Sequence, residues 1–248
     1  MSGNREVRMA REPLSWRKVT IEAGAIVASI LLAFGIDAGW DARQERDTER
    51  AAIEVLRLEM RANRQILAET IRYNDEARAS VVAYLRLSPQ QITSMPRDSF
   101  PSSAMHVQLW APFTFDPELG GTTAFINRGE SASEAVRALG RAVVNWDRTF
   151  VDAGEESVVL WGASRAVLEL LTPYIVDLVP QDELGPVLNV ILQDYLPRMA
   201  RIRADPRVIA AALAKLNLQG IYTNELRDLL DATDNILGLL DAMPNAAG

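Results

Sequence analysis

The chain has no cysteine, one histidine (His106) and two lysines (Lys18 and Lys215) among its 248 residues. Without cysteine there is no disulfide and no thiolate-bound zinc or iron–sulfur cluster. With one imidazole and no thiol, the usual nucleophile–base sets are almost unavailable. His106 has no metal-ligating companion nearby and reads as an incidental loop residue. There is no glycine-rich phosphate loop, no His-Glu-x-x-His motif, no EF-hand loop and no paired Glu-x-x-His of the di-metal bundles. The carboxylate pairs Glu155–Glu156, Asp182–Glu183 and Asp231 with Asp234 lie on polar helix faces or near a helix start, where water solvates them. The sequence therefore predicts a non-catalytic protein with no catalytic residues, no cofactor and no metal.

Net positive charge is also missing. The formal charge is −7, and residues 1–40 hold five basic against four acidic groups, so the remainder carries −8. An acidic body of this kind does not suit nucleic acid. Hydrophobic content of 48% with 24% charged residues is that of a folded globular protein, and the length beyond residue 40 is enough for one domain with its own core.

Residues 19–40, VTIEAGAIVASILLAFGIDAGW, carry the strongest local signal. As a helix they would extend about 33 Å, close to the hydrocarbon thickness of a bilayer. Glu22 and Asp37 bracket an uncharged core, and Trp16 and Trp40 stand where an aromatic belt would lie at each surface. A buried helix of a soluble protein and a cleaved signal sequence are the competing readings. The helical pattern continues past Trp40 without a break, which favours a membrane span. The short flank before it holds Arg5, Arg8, Arg11, Arg17 and Lys18. A basic tail inside and an acidic domain outside is the favoured orientation, placing residues 1–18 in the cytoplasm and the bulk of the chain in the periplasm. Within the span, Ala25, Ser29 and Ala33 recur every four residues; Gly24 and Ala28 form a second row, extended by Gly35 and Gly39. Small residues in rows let another helix approach closely in lipid. Membrane lipid and other membrane protein subunits are the expected partners, a hetero-complex ahead of a homo-oligomer.

Residues 41–52 alternate in charge and read as a solvated helical stalk. Residues 53–248 read as an antiparallel, all-α bundle joined by short connectors. Its first helix runs to about Leu87, with Ile53, Leu56, Met60, Leu67, Ala77, Val81 and Tyr84 on one seam. Asn63, Thr70 and Asn74 occupy the remaining seam positions; Asn63 and Asn74 either fix register with a partner helix or mark a partly exposed seam, the second being favoured. The segment 88–117 carries five prolines and reads as an irregular loop, with Val107–Trp110 as a short strand or extended strip and Trp110 as a candidate partner contact. A short helix is expected from Pro117 to Asn127. A long one starts at Ser131 with Glu134 completing a capping box. Its seam, from Val136 and Leu139 through Trp146 and Leu160 to Leu171 and Tyr174, keeps steps of three and four throughout. Pro180 is expected to close it. Helices over about 182–203, from Asp205-Pro206 to Gly220, and from Tyr222 to Ala242 complete the reading.

Three stretches carry a resemblance. They are SILLAFGIDAGWDARQERDTERAAIEVLRLEM at the exit of the span, TFDPELGGTTAFINRGE leading into ASEAVRALGRAVVNW, and the C-terminal helix pair from Asp205 onward. Together they resemble a broad family of bacterial single-pass membrane proteins built on a domain of unknown function. Members tend to carry Ser-Gly near Arg128-Gly129 and a Leu-Arg-x-x-Leu helix ending in Trp. This chain lacks the serine and has Val136-Arg137-x-x-Gly140 instead. The resemblance implies a membrane anchor with a helical exterior domain, and no activity. The functional expectation is a structural or accessory subunit that packs into and braces a larger membrane complex. The alternative is an envelope sensor or ligand-binding module signalling through a partner.

Overall fold

In the computed structural model, residues 16–128, 133–175 and 194–243 are described, except the side chains of residues 16–23, 25, 42 and 175. The described residues are all-α, without a strand. Seven α-helices are defined among them: α1 (Trp16–Leu85), α2 (Pro89–Ser94), α3 (Met105–Gln108), α4 (Gly120–Asn127), α5 (Glu134–Ile175), α6 (Tyr195–Ala204) and α7 (Pro206–Ala242). A 3-10 turn covers Arg97–Ser99. The chain divides into two units, residues 1–51 and 52–248.

In the first unit, Ile26, Val27, Ile30, Leu31, Leu32, Phe34 and Ile36 are all exposed, and they occupy every side of the helix. Among the described residues no helix is long and apolar enough to cross a membrane. The described apolar run, Ile26 to Ile36, extends only about 16 Å, half of a bilayer core. The rest of the expected span, residues 19–23 and Ala25, has side chains outside the described set.

In the second unit, three long helices form the body. α1 and α7 run antiparallel: the Arg57 guanidinium donates to Leu240 O at one end, and the Gln219 side-chain amide donates to Asn74 Oδ1 further along. α5 and α7 are antiparallel too, since Trp146 Nε1 donates to Thr233 and the Tyr174 hydroxyl donates to Asp205. From Ala52 onward, α1 is therefore parallel to α5, not antiparallel as short connectors would require. The segment between them must travel back along the bundle, and this is why it is long. It does so in register with α1: Phe113 stacks on Tyr73, Glu118 pairs with Asn63, and Gly121 and Thr122 reach Glu59.

That return segment is not the featureless loop expected. Ser88 caps α2 in a complete capping box with Gln91. Val107–Trp110 is the end of α3 and the turn after it, not a strand, because Leu109 and Met105 both point into the core and Leu109 N donates back to Met105 O. Residues 111–119 form neither helix nor strand, and α4 begins at Gly120, three residues later than the position of Pro117 suggests.

Two further expectations are corrected. Gly220 does not end a helix: α7 continues unbroken from Pro206 to Ala242. Tyr222, Thr223 and Leu226 beyond it are as buried as Leu216 before it, and this packing outweighs the roughly 1 kcal/mol cost of a mid-helix glycine. Asn63 and Asn74 are not on an exposed seam; both are fully buried. The capping residue Ser131, the closing Pro180 and most of the 182–203 helix lie outside the described residues. Glu134 opens α5 paired with Arg137 at 2.7 Å. Asp205 does cap α7 as expected, accepting from Arg207 N at 2.9 Å with Pro206 at the first helical position.

Candidate functional site

The core has two apolar halves. One gathers Leu56–Ile71 of α1, Val136–Leu160 of α5 and Tyr222–Leu240 of α7. The other gathers Val81 and Tyr84, Val167 and Leu171, Val208–Leu216, and the residues of α2, α3 and α6. Where they meet, each long helix places a buried polar residue: Asn74, Ser164 and Gln219. Buried amides need partners, and here they find them. Asn74 Nδ2 donates to Phe113 O at 2.7 Å and its Oδ1 accepts from Gln219 at 2.8 Å. Gln219 Oε1 accepts from Lys215 Nζ at 2.8 Å.

Lys215 is fully buried, and its ammonium also reaches Gln108 O at 3.2 Å and Ala111 O at 3.5 Å. Burial pushes its pKa down from 10.5 to about 8. An amine with a lowered pKa is a possible nucleophile. Here it is fully buried and its donors are engaged, so it satisfies the last carbonyl of α3, Gln108 O, and the carbonyl of Ala111 just beyond that helix. Arginines do the same for the longer helices: Arg203 donates to Leu85 O of α1 at 3.0 Å, Arg57 to Leu240 O of α7 at 2.9 Å, and Arg198 to Tyr174 O of α5.

A second polar set lies at α4. The Glu59 carboxylate accepts from the backbone N–H of Gly121, from Thr122 N at 2.8 Å and from the Thr122 hydroxyl at 2.5 Å. This is an anion at a helix N-terminus, and it is supplied by the protein itself. Sequence reasoning missed Glu59, Lys215 and Gln219. The visible signal is the four-residue spacing of Lys215, Gln219 and Thr223, a polar row inside the apolar face of α7.

The remaining candidate groups are elsewhere. His106 is half-buried with Nδ1 unpartnered, and burial lowers its pKa. Asp234 holds Arg64 at 2.6 Å, while Glu155 and Asp231 are exposed; Asp182 and Glu183 are outside the described residues. Among the described residues no cluster of His, Asp or Glu is arranged to hold a metal. Trp110 is half-buried at the edge of the second core half and borders an open groove of about 430 Å³ with Trp161, Gly162, Arg165 and Leu168 of α5. Of the proposed membrane-packing residues, Gly24, Ala28, Ser29, Ala33, Gly35 and Gly39 are exposed on α1, and a Cβ on any of the three glycines would meet nothing within 4 Å. Asp37 is exposed and Trp40 is 69% exposed. The side chains of Ala25 and Trp16 lie outside the described residues.

The buried amides, Lys215 and Glu59 thus bind the protein to itself, while Ser164 Oγ and Gln108 Oε1 are buried without a hydrogen-bond partner, and the stretch Ile26–Ile36 of α1 is apolar and exposed. Compared with protein-family models, with curated proteins and with solved structures, the chain finds no match.

Proposed function

We propose that this chain is a non-catalytic accessory subunit, anchored by one N-terminal membrane-crossing helix, whose helical body braces a larger membrane protein complex. One observation carries the reading. From Ile26 to Ile36 the helix exposes apolar side chains on all sides, with Phe34 and Leu32 each 67% exposed. A helix that is apolar all round requires a nonaqueous surrounding, and about 25 cal/mol per Å² of exposed apolar surface opposes leaving it in water. Hydrocarbon is a solvent that covers every side at once. The bare Gly24, Gly35 and Gly39 support a neighbouring helix in the same layer. The acidic body and basic N-terminal tail support an inner-membrane location with the body in the periplasm.

The test is alkaline carbonate extraction of membranes carrying the full chain, followed by native electrophoresis in mild detergent. Retention in the pellet, with migration well above the 27.4 kDa of one copy, is expected. Release of intact protein into the supernatant overturns the anchor, and migration as a single copy overturns the complex.

A further inference from the structure

The single imidazole of the chain sits in the attachment of its shortest helix. α3 is one turn, Met105–Gln108, too short to be stable by itself. A file of aromatic rings holds it down. Tyr84 of α1 meets Phe100 edge-on at 5.9 Å, Phe100 meets Tyr195 of α6 at 5.6 Å, and Tyr195 meets His106 at 6.0 Å. The Tyr195 hydroxyl completes the attachment, accepting from Met105 N at 3.1 Å and donating to Ser102 O at 3.1 Å. Through these contacts Met105 and Leu109 stay buried in the second core half, and Gln108 O stays beside the Lys215 ammonium.

His106 Nδ1 is buried there without a hydrogen-bond partner. A neutral imidazole leaves one nitrogen without a proton, and Nδ1 can be that nitrogen at little cost. An imidazolium makes both nitrogens donors, so a buried N–H would lack an acceptor and a charge would lack water. The described neighbours do not answer that charge. Asp98 of the 3-10 turn and Asp194 ahead of α6 are exposed, Glu169 of α5 holds Arg165, and Asp205 at the start of α7 holds Arg207 and Tyr174. The cations of α6 and α7 are directed at carbonyls: Arg198 at Tyr174 O, Arg203 at Leu85 O and Lys215 at Gln108 O. α1 contributes Tyr84, bonded to Met199 O, and α2 has no ionisable residue. The Tyr195 ring would favour a cation on its face, but the Arg97 guanidinium already lies 5.5 Å from its centroid.

We infer that His106 is an acid-sensitive latch: protonation of its ring releases the segment 100–110 from Tyr195 and opens the second core half while the first stays closed. Burial lowers the folded pKa of His106 below its ordinary 6.5, so the released segment binds the proton more tightly than the latched one. The latch is therefore fully held above pH 6.5, weakens as pH falls through that value, and weakens no further below the folded pKa. Release is local because the first core half, with Leu56, Trp146 and Leu229, has no share in the ring file. The latch works whether or not the first helix crosses a membrane.

Selective ¹³C labelling of histidine in the full chain, in mild detergent, follows this one imidazole by nuclear magnetic resonance. Its titration midpoint is expected below 6.5, and a midpoint at or above 6.5 overturns the inference. Hydrogen exchange read by mass spectrometry then compares the unsubstituted protein with His106→Phe, which keeps an aromatic ring and loses the titration. At about pH 5 the segment 100–110 is expected to exchange at least about fivefold faster in the unsubstituted protein, and at about pH 7.5 the two should agree within about twofold. Peptides spanning Leu139 and Trp146 of α5 should not differ at either pH. Equal exchange of 100–110 at the lower pH, or the same acceleration in the α5 peptides, overturns the latch. Where phenylalanine disturbs the packing, seen as a difference already at the higher pH, His106→Gln, uncharged at every pH, replaces it in the same comparison with the same deciding outcomes.

Discussion

Asn63 and Glu118 exchange two hydrogen bonds: the asparagine amide donates to Glu118 O at 2.8 Å, and Glu118 N donates back to Asn63 Oδ1 at 2.9 Å. A side chain here pairs with a peptide unit as a strand would. It gives the irregular segment 111–119 partners that its backbone would otherwise lack. Asn63→Leu keeps the volume but leaves both groups of Glu118 unpaired. It is expected to cost about 1–3 kcal/mol in urea unfolding and to speed hydrogen exchange at the Glu118 amide. An exchange rate equal to that of the unsubstituted protein would show that this pair does not hold the segment.

Glycine at 121 and glycine at 120 should respond oppositely to a methyl group. A Cβ on Gly121 would lie 3.1 Å from the Glu59 carboxylate and 3.2 Å from Val55, and the carboxylate is fixed by Thr122. On Gly120 the nearest such atom is 3.9 Å away. Gly121→Ala is expected to destabilise by about 1–3 kcal/mol, and Gly120→Ala to change stability by less than about 0.5 kcal/mol. Thermal unfolding of the two variants side by side decides it.

Lys215 gives stability a pH dependence with a definite sign. Its folded pKa of about 8 lies below its ordinary 10.5, so between those values the unfolded chain holds more protons. Stability contributed by this residue therefore rises as pH climbs from about 8 toward 10.5. Above pH 10 the buried tyrosines act the other way: burial raises Tyr195 to about 12, and unfolding then releases its proton. In a comparison with Lys215→Met from pH 7.5 to 9.5, the unsubstituted protein should gain melting temperature relative to the variant. A constant difference would mean that the amine titrates normally.

Gly220 sits in continuous helix, and a Cβ there would meet the Arg78 guanidinium at an ordinary 3.6 Å. Gly220→Ala is expected to stabilise the protein by about 0.5–1 kcal/mol, read as an upward shift in the urea midpoint at constant slope. A loss of stability would show that the helix needs a bend at this position.

The core seam of α5 was legible in the sequence because its apolar residues repeat at three and four without interruption, and Leu139, Trp146, Leu160 and Leu171 are all fully buried. Asp205-Pro206 was legible for a local reason, since a cap and a fixed φ act within one turn. What escaped depends on distant partners. Asn63 and Asn74 look like surface residues until a carbonyl from residues 113–118 is brought beside them. The parallel course of α1 and α5 follows from the path of the return segment, which no periodicity encodes. Gly220 obeys tertiary packing over intrinsic preference. For the candidate site, Trp110 was visible as an aromatic in a proline-rich stretch, but its companions Trp161 and Arg165 come from another helix.

The contact between Arg57 and Leu240 places the start of the bundle and the end of α7 at one pole. A load applied between these two points would peel α7 from α1 one contact at a time, beginning at the Arg57 guanidinium, instead of sliding the helices past each other against all their contacts together. The bundle is mechanically soft along that line. Any bearing role must therefore be met through its flanks, where force crosses the helices broadside.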